Sequence, residues 1–183
     1  WRERQTFYMA RAEEPDPLVQ QWEQRFRDRF RIIYTTGSPF SALSIAKVLR
    51  EKSLVGMQID RVLGDGAVTV QMCGQPVRFP MGPVLLARVT DVPLIPSFFA
   101  IDDRGDRPKL IHHVGPAIFV EKTRDRDADI QRAMDQLVAV YEQIVRRYPT
   151  QWYQFFDFFQ PPQPTTEPAP LRLHPSSEPA TER

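Results

Sequence analysis

Only one cysteine, Cys73, occurs in the 183 residues. That excludes an intramolecular disulfide and the paired-cysteine zinc sites. A single thiol is compatible with a reducing compartment without establishing one. Long apolar runs are missing too: no stretch approaches the roughly 18 consecutive apolar residues of a spanning helix, and the chain does not start with a charged segment followed by an apolar core. Charge of one sign is not in excess, since 24 basic and 23 acidic residues leave a formal +1, so global charge gives no argument for nucleic acid and none is expected as a partner. A P-loop and a G-x-G-x-x-G fingerprint are both absent, which leaves nucleotide cradling unsupported.

What is present reads as one globular domain with a tail. The length is enough to bury a core, and residues 1–160 form the expected domain. Beyond Gln160 the chain turns to PPQPTTEPAP and SSEPATER, a proline-rich stretch too poor in apolar residues to fold, read as a disordered tail over 161–183. Residue 1 is Trp rather than Met, and RQTFYMARA reads as a strand within the first ten residues. Secondary structure that begins at once leads us to expect a chain cut from something longer.

Strand and helix then alternate. DPLVQQWEQRFRDRF has Asp16 as a cap, Pro17 at the first helical position and Leu18, Trp22, Phe26 and Phe30 at four-residue spacing, an amphipathic helix. RIIYTTG is a short strand; Ser38 and Pro39 open a second helix that runs through Leu49; LVGMQI is the next strand. Such alternation predicts an α/β fold with a mostly parallel sheet flanked by helices. AVTVQM is a further strand, followed by a loop, a helix from about Met81 to Thr90, an apolar strand from Val92 to Phe99, a polar turn and a strand at KLIHHV. A long helix from Asp125 to Arg147 carries Ile130, Met134, Leu137, Val138, Tyr141, Ile144 and Val145 on one face, a stripe expected to pack as core.

The strand LVGMQI ends abruptly at Asp60. Ligands of open α/β sheets bind beyond the carboxyl ends of the strands, which makes Asp60 a candidate, although a turn or cap aspartate is the commoner reason for such a stop. Other chemistry is hard to assemble. Cys73 has no partner signature and reads as a small apolar residue; His112 and His113 are adjacent in a strand and point to opposite faces. The run RFRDRFR, residues 25–31, reads as the exposed side of the first helix, with anionic head groups as the alternative reading. QWYQFFDFF, residues 151–159, suits either core or a membrane or protein interface.

The segment LREKSLVGMQIDRVLGDGAVTVQMCGQPVRFPMGPVLLARVTDVPLIPSFF is similar to the second half of the bacterial lipid A biosynthesis acyltransferases, relatives of the lysophospholipid acyltransferases. Asp60, Gly74, Pro80, Gly82, Pro83, Leu86, Ala87, Pro93 and Pro96 occupy the positions of that family's pattern, and Pro149, Gln151, Trp152 and Tyr153 match its terminal segment. The resemblance implies a glycerolipid acyltransferase-like fold whose N-terminal part is missing. It implies acyl transfer from acyl carrier protein or acyl-CoA to a hydroxyl of a membrane glycolipid, at the cytoplasmic face of the inner membrane and without a further cofactor. A phospholipid acceptor and a non-catalytic, partner-binding half-domain are the alternatives. The family's His, followed after four residues by an acidic residue, is absent: five positions beyond His112, His113 and His174 stand Ala117, Ile118 and Pro179. No catalytic residue is therefore expected in this chain, nor a metal ligand. Asp60 and Arg61 are the supporting candidates, and Arg11, Arg78 and Gly82 the candidates for substrate binding.

Overall fold

The computed structural model describes residues 6–13, 16–26, 29–35, 40–62 and 66–159. The expected tail, the start of the second helix at Ser38 and Pro39, and the glycine turn at residues 63–65 lie outside them.

Three short strands, β1 (Phe7–Arg11), β2 (Arg31–Tyr34) and β3 (Leu54–Met57), form a parallel sheet in the order β2-β1-β3. Helix α1 (Pro17–Phe26) connects the first two strands and α2 (Ser41–Arg50) the next two. Parallel neighbours require such crossovers. Helix α1 starts where the sequence places it, with the Asp16 carboxylate accepting from the Leu18 N–H at 2.8 Å. At Gly56 the sheet is tight: an added Cβ would lie 2.9 Å from the Phe7 ring.

The remaining four strands pair as antiparallel hairpins, so the α/β fold holds with its parallel part confined to three strands. Strand β4 (Ala67–Met72) pairs with β5 (Gln75–Pro80), and β6 (Ser97–Asp102) with β7 (Lys109–Val114). Residues 75–80 are thus a strand and not the expected loop. The prolines Pro76 and Pro80 hide it, yet Pro76 is exposed and the strand follows a two-residue turn in which Cys73 and Gly74 both have positive φ, 53° and 79°. Strand β6 begins at Ser97 rather than Val92, because Pro93 and Pro96 remove two backbone donors from the stretch before it. RFRDRFR also departs from expectation: α1 stops at Phe26 and Arg31 already belongs to β2.

Helix α3 (Gly82–Thr90) and the long α4 (Arg126–Arg147) complete the fold. Asp125 caps α4 by accepting from the Ala128 N–H at 3.0 Å. The expected stripe is core: Ile130, Met134, Leu137, Val138 and Tyr141 are buried, packed with Val70, Met72, Val77 and Phe79 of the first hairpin. Full burial of side chains of this size stabilises by about 1.5–3 kcal/mol each. A buried carboxylate locks α3 to α4. Asp129, 1% exposed, receives Arg88 at 2.9 Å, Arg132 at 2.6 Å and the Thr123 hydroxyl at 2.7 Å. Burial pushes this carboxyl up, but the Thr123 and Arg88 hydrogen bonds outweigh it and its pKa is lowered. By contrast, the apolar row of α1 stays largely at the surface: Leu18 and Trp22 are exposed, Trp22 packs locally against Phe26 at a tilt of 48°, and Glu23 is the helix's one buried residue.

Candidate functional site

The carboxyl edge of the parallel sheet collects polar groups from all three strands. Arg11 ends β1 opposite Tyr34, which ends β2, and Asp60 lies three residues beyond the end of β3. Each is held by a different element.

Arg11 reaches α1. Its Nη1 lies 2.5 Å from Oε1 of Glu23, whose other oxygen accepts from the Tyr34 hydroxyl at 3.1 Å. Glu23 Oε1 receives no well-aligned hydrogen bond, so its charge is met as an ion pair and not through directed donors. Burial first, then the hydrogen bond to Glu23 and its negative charge, raise the Tyr34 phenol above its ordinary value. A cleft of about 410 Å³ opens beside this trio, between α1 and β2.

Asp60 reaches the terminal segment. The half-buried carboxylate accepts from Gln154 Nε2 at 2.5 Å, and the neighbouring Tyr141 hydroxyl accepts from the Trp152 indole N–H at 2.6 Å. Burial, followed by the Asp60 charge, pushes the Tyr141 phenol up to about 12. A carboxylate, a phenol, an indole and an amide thus form one cluster at the end of β3. Gln154 and Tyr141 were not singled out for chemistry in the sequence, and nothing local marks them, because Gln154 and Asp60 are 94 positions apart.

The aromatic segment divides in two. Trp152, Phe158 and Phe159 pack on the core, with Trp152 edge-on to Tyr141 and Phe158. Tyr153 (69% exposed), Phe155 (91%) and Phe156 (48%) face outward. Gln151 fastens the segment to β6, its side chain both donating to and accepting from the Ile101 backbone at 2.7 Å.

Of the residues expected in a site, Arg11 and Asp60 share the strand edge. Arg61 is beside them, exposed, with no partner among the described residues. Arg78 lies elsewhere in the fold, on β5 opposite Thr69, and its half-buried side chain faces away from the core that Val77 and Phe79 enter. Gly82 is the exposed first residue of α3, with open space where a Cβ would stand. The two strand histidines do separate as expected: exposed His112 stacks on Phe99 and bonds Ser97 Oγ at 2.6 Å, while His113 bonds the Tyr148 hydroxyl at 3.1 Å. The thiol of Cys73 is half-buried in the hairpin turn, where its backbone N–H donates to Glu142 at 2.8 Å. Among the described residues no three His, Cys, Asp or Glu side chains are grouped to hold a metal ion, and no helix is long and apolar enough to cross a membrane.

A protein-family model described as bacterial lipid A biosynthesis acyltransferase matches residues 3–160. No curated protein matches the chain.

Proposed function

The chain belongs to the bacterial lipid A biosynthesis acyltransferase family, and from that premise we propose that it serves the transfer of a fatty acyl group from acyl carrier protein or acyl-CoA to a hydroxyl of a bacterial glycolipid. The acceptor oxygen attacks the thioester carbonyl, its proton passes to a general base, and the thiol leaves with a proton as the ester forms. A thioester is already an activated acyl donor, so the reaction needs no further cofactor. The place of work in this reading is the cytoplasmic face of the inner membrane, where outward-facing Tyr153, Phe155 and Phe156 meet the lipid interface.

The observation that carries the reading is the family match over residues 3–160, together with the polar edge at the strand ends. There Asp60 acts as a positioning residue that holds Gln154, and exposed Arg61 supplies a guanidinium to an anionic head group. Arg11 is committed to Glu23 and holds α1 in place. The open space at Gly82 lets a ligand approach the backbone at the start of α3. In this reading the base is neither His112 nor His113, which bond Ser97 and Tyr148 in the second hairpin.

The test offers labelled acyl carrier protein thioester or acyl-CoA to the protein expressed from its own gene, with a glycolipid or a lysophospholipid in mixed micelles. Labelled glycolipid is the expected product. Labelled phospholipid alone would replace the acceptor, and label in neither would turn the reading to a non-catalytic, partner-binding half-domain.

A further inference from the structure

A second cavity, of about 390 Å³, opens beside the terminal segment. Its volume is within the roughly 300–1,000 Å³ of small-molecule sites. The Asp60 latch uses one of its lining side chains, Gln154, whose Nε2 donates to that carboxylate. Four of the seven residues described along its wall are aromatic: Trp152, Phe156, Phe158 and Phe159. Trp152 meets Phe158 at 81° and Phe159 at 71°, and Phe158 meets Phe159 at 80°. Three ring planes so steep to one another span every direction, so at least one of them turns its face, and not its edge alone, toward whatever sits in the cavity. That face is the negative end of the aromatic quadrupole.

Charge agrees with the rings. Among the described residues Asp157 is the one charged group that lines the cavity; it is exposed, and no ion pair or hydrogen bond ties its side chain to another of them. An anion would meet like charge there with no cation to hold it, whereas a cation finds both a carboxylate and π surface. The kind of cation follows from its donors. A primary ammonium is strongly hydrated and carries three N–H groups that need acceptors, which a mostly aromatic wall supplies poorly. A quaternary ammonium has no N–H to satisfy, and its methyl groups pack directly on ring faces.

We propose that this cavity binds a quaternary ammonium group, with Asp157 as its counter-ion and the rings of Trp152, Phe156, Phe158 and Phe159 as its walls. The site goes beyond the acyl-transfer reading and takes nothing from it. Two sources carry the same chemistry, a free choline-like solute and the head group of a choline lipid.

The experiment is a calorimetric titration of the protein expressed from its own gene with choline, with neohexyl alcohol, which is choline's uncharged carbon isostere, and with ethanolamine. Phe156 and Asp157 are exposed, so Phe156→Leu and Asp157→Asn are the variants, and melts matching the native protein separate loss of the site from loss of the fold. Choline should bind more tightly than the other two probes. Each variant should weaken it about threefold, the size of an exposed cation–π contact or charge pair. The proposal is overturned if choline does not bind, if the alcohol or ethanolamine binds as tightly, or if either variant binds choline as the native protein does. Displacement of bound choline by phosphatidylcholine vesicles, and not by phosphatidylglycerol vesicles, would assign the group to a lipid head; choline binding that neither vesicle displaces would assign it to a free solute. Acyl transfer is not read in this titration, so a failed transfer assay and a failed ammonium site remain separate outcomes.

Discussion

Replacing Asp60 separates a latch from a catalytic group. In the native protein Asp60 accepts a charge-assisted hydrogen bond from Gln154 at 2.5 Å, a class worth about 1.5–3 kcal/mol net. Asp60→Ala should therefore cost about 2 kcal/mol, which for a chain of this size lowers the melting temperature by roughly 4–8 °C. Asp60→Asn keeps the shape and loses only the charge, and should cost about half as much. A second readout tests the geometry. Burial is the larger reason that the Tyr141 phenol is pushed up to about 12, and the Asp60 charge is the next. Removing that charge should bring the phenol down without returning it to 10. Circular dichroism melts give the first number, and ultraviolet titration of tyrosinate, with Tyr141→Phe to assign the signal, gives the second. If Asp60→Ala melts like the native protein and Tyr141 still ionises near 12, Asp60 is not the latch described. Loss of acyl transfer in Asp60→Asn with an unchanged melt would likewise point to a direct chemical role.

The same phenol makes stability depend on alkaline pH. A folded value above the ordinary 10 stabilises the protein below pH 10, and that contribution, about 2–3 kcal/mol, is lost as pH rises from 10 through 12; urea midpoints of native and Tyr141→Phe protein should converge across that window. At the acid end Asp129 behaves oppositely, since its folded value lies below the ordinary 3.8. Its contribution is present above that pH and disappears as the pH falls through the folded value, and Asp129→Ala, which strands Arg88, should cost about 3–5 kcal/mol in a denaturant titration at neutral pH. The aromatic segment predicts a contrast: Trp152→Ser should cost about 3 kcal/mol, whereas Phe155→Ser should leave the melt within about 0.5 kcal/mol and lower only the binding of liposomes measured by co-sedimentation. Gly82→Ala meets open space and should not lower the melting temperature, so any loss of acyl transfer in that variant reports on ligand approach.

Much of the fold was legible because it is local. The Asp16 cap and the apolar stripe of α4 are short-range patterns; α4 appears where the sequence puts it, and α1 starts there but ends at Phe26, before Phe30, the last member of its four-residue row. Strand β5 was hidden by its prolines, and its turn by Cys73, a non-glycine residue with positive φ. The amphipathic row of α1 was visible, yet its burial was not, because burial depends on what faces the helix. The candidate site is less legible for a similar reason. Asp60 stood out as a stop after an apolar strand, whereas its partner is 94 positions away, and Arg88 and Asp129 are 41 apart. Neither pairing leaves a trace in spacing or composition.

The abrupt stop at Asp60 is neither a simple turn nor a free reactive group. At the carboxyl edge each strand end holds another element in register: Arg11 and Tyr34 grip α1 through Glu23, and Asp60 grips the terminal segment through Gln154. Groups committed in this way are costly to displace, so a ligand arriving at the edge meets a surface already organised, and little ordering entropy remains to be lost on binding. In the proposed reading, the group left to contact that ligand is the one the latches do not use, Arg61 beside Asp60. In that reading, recognition at this edge divides into a layer of paired groups that fixes position and an exposed layer that makes contact, and substitutions in the first layer should always carry a stability change that substitutions in the second do not.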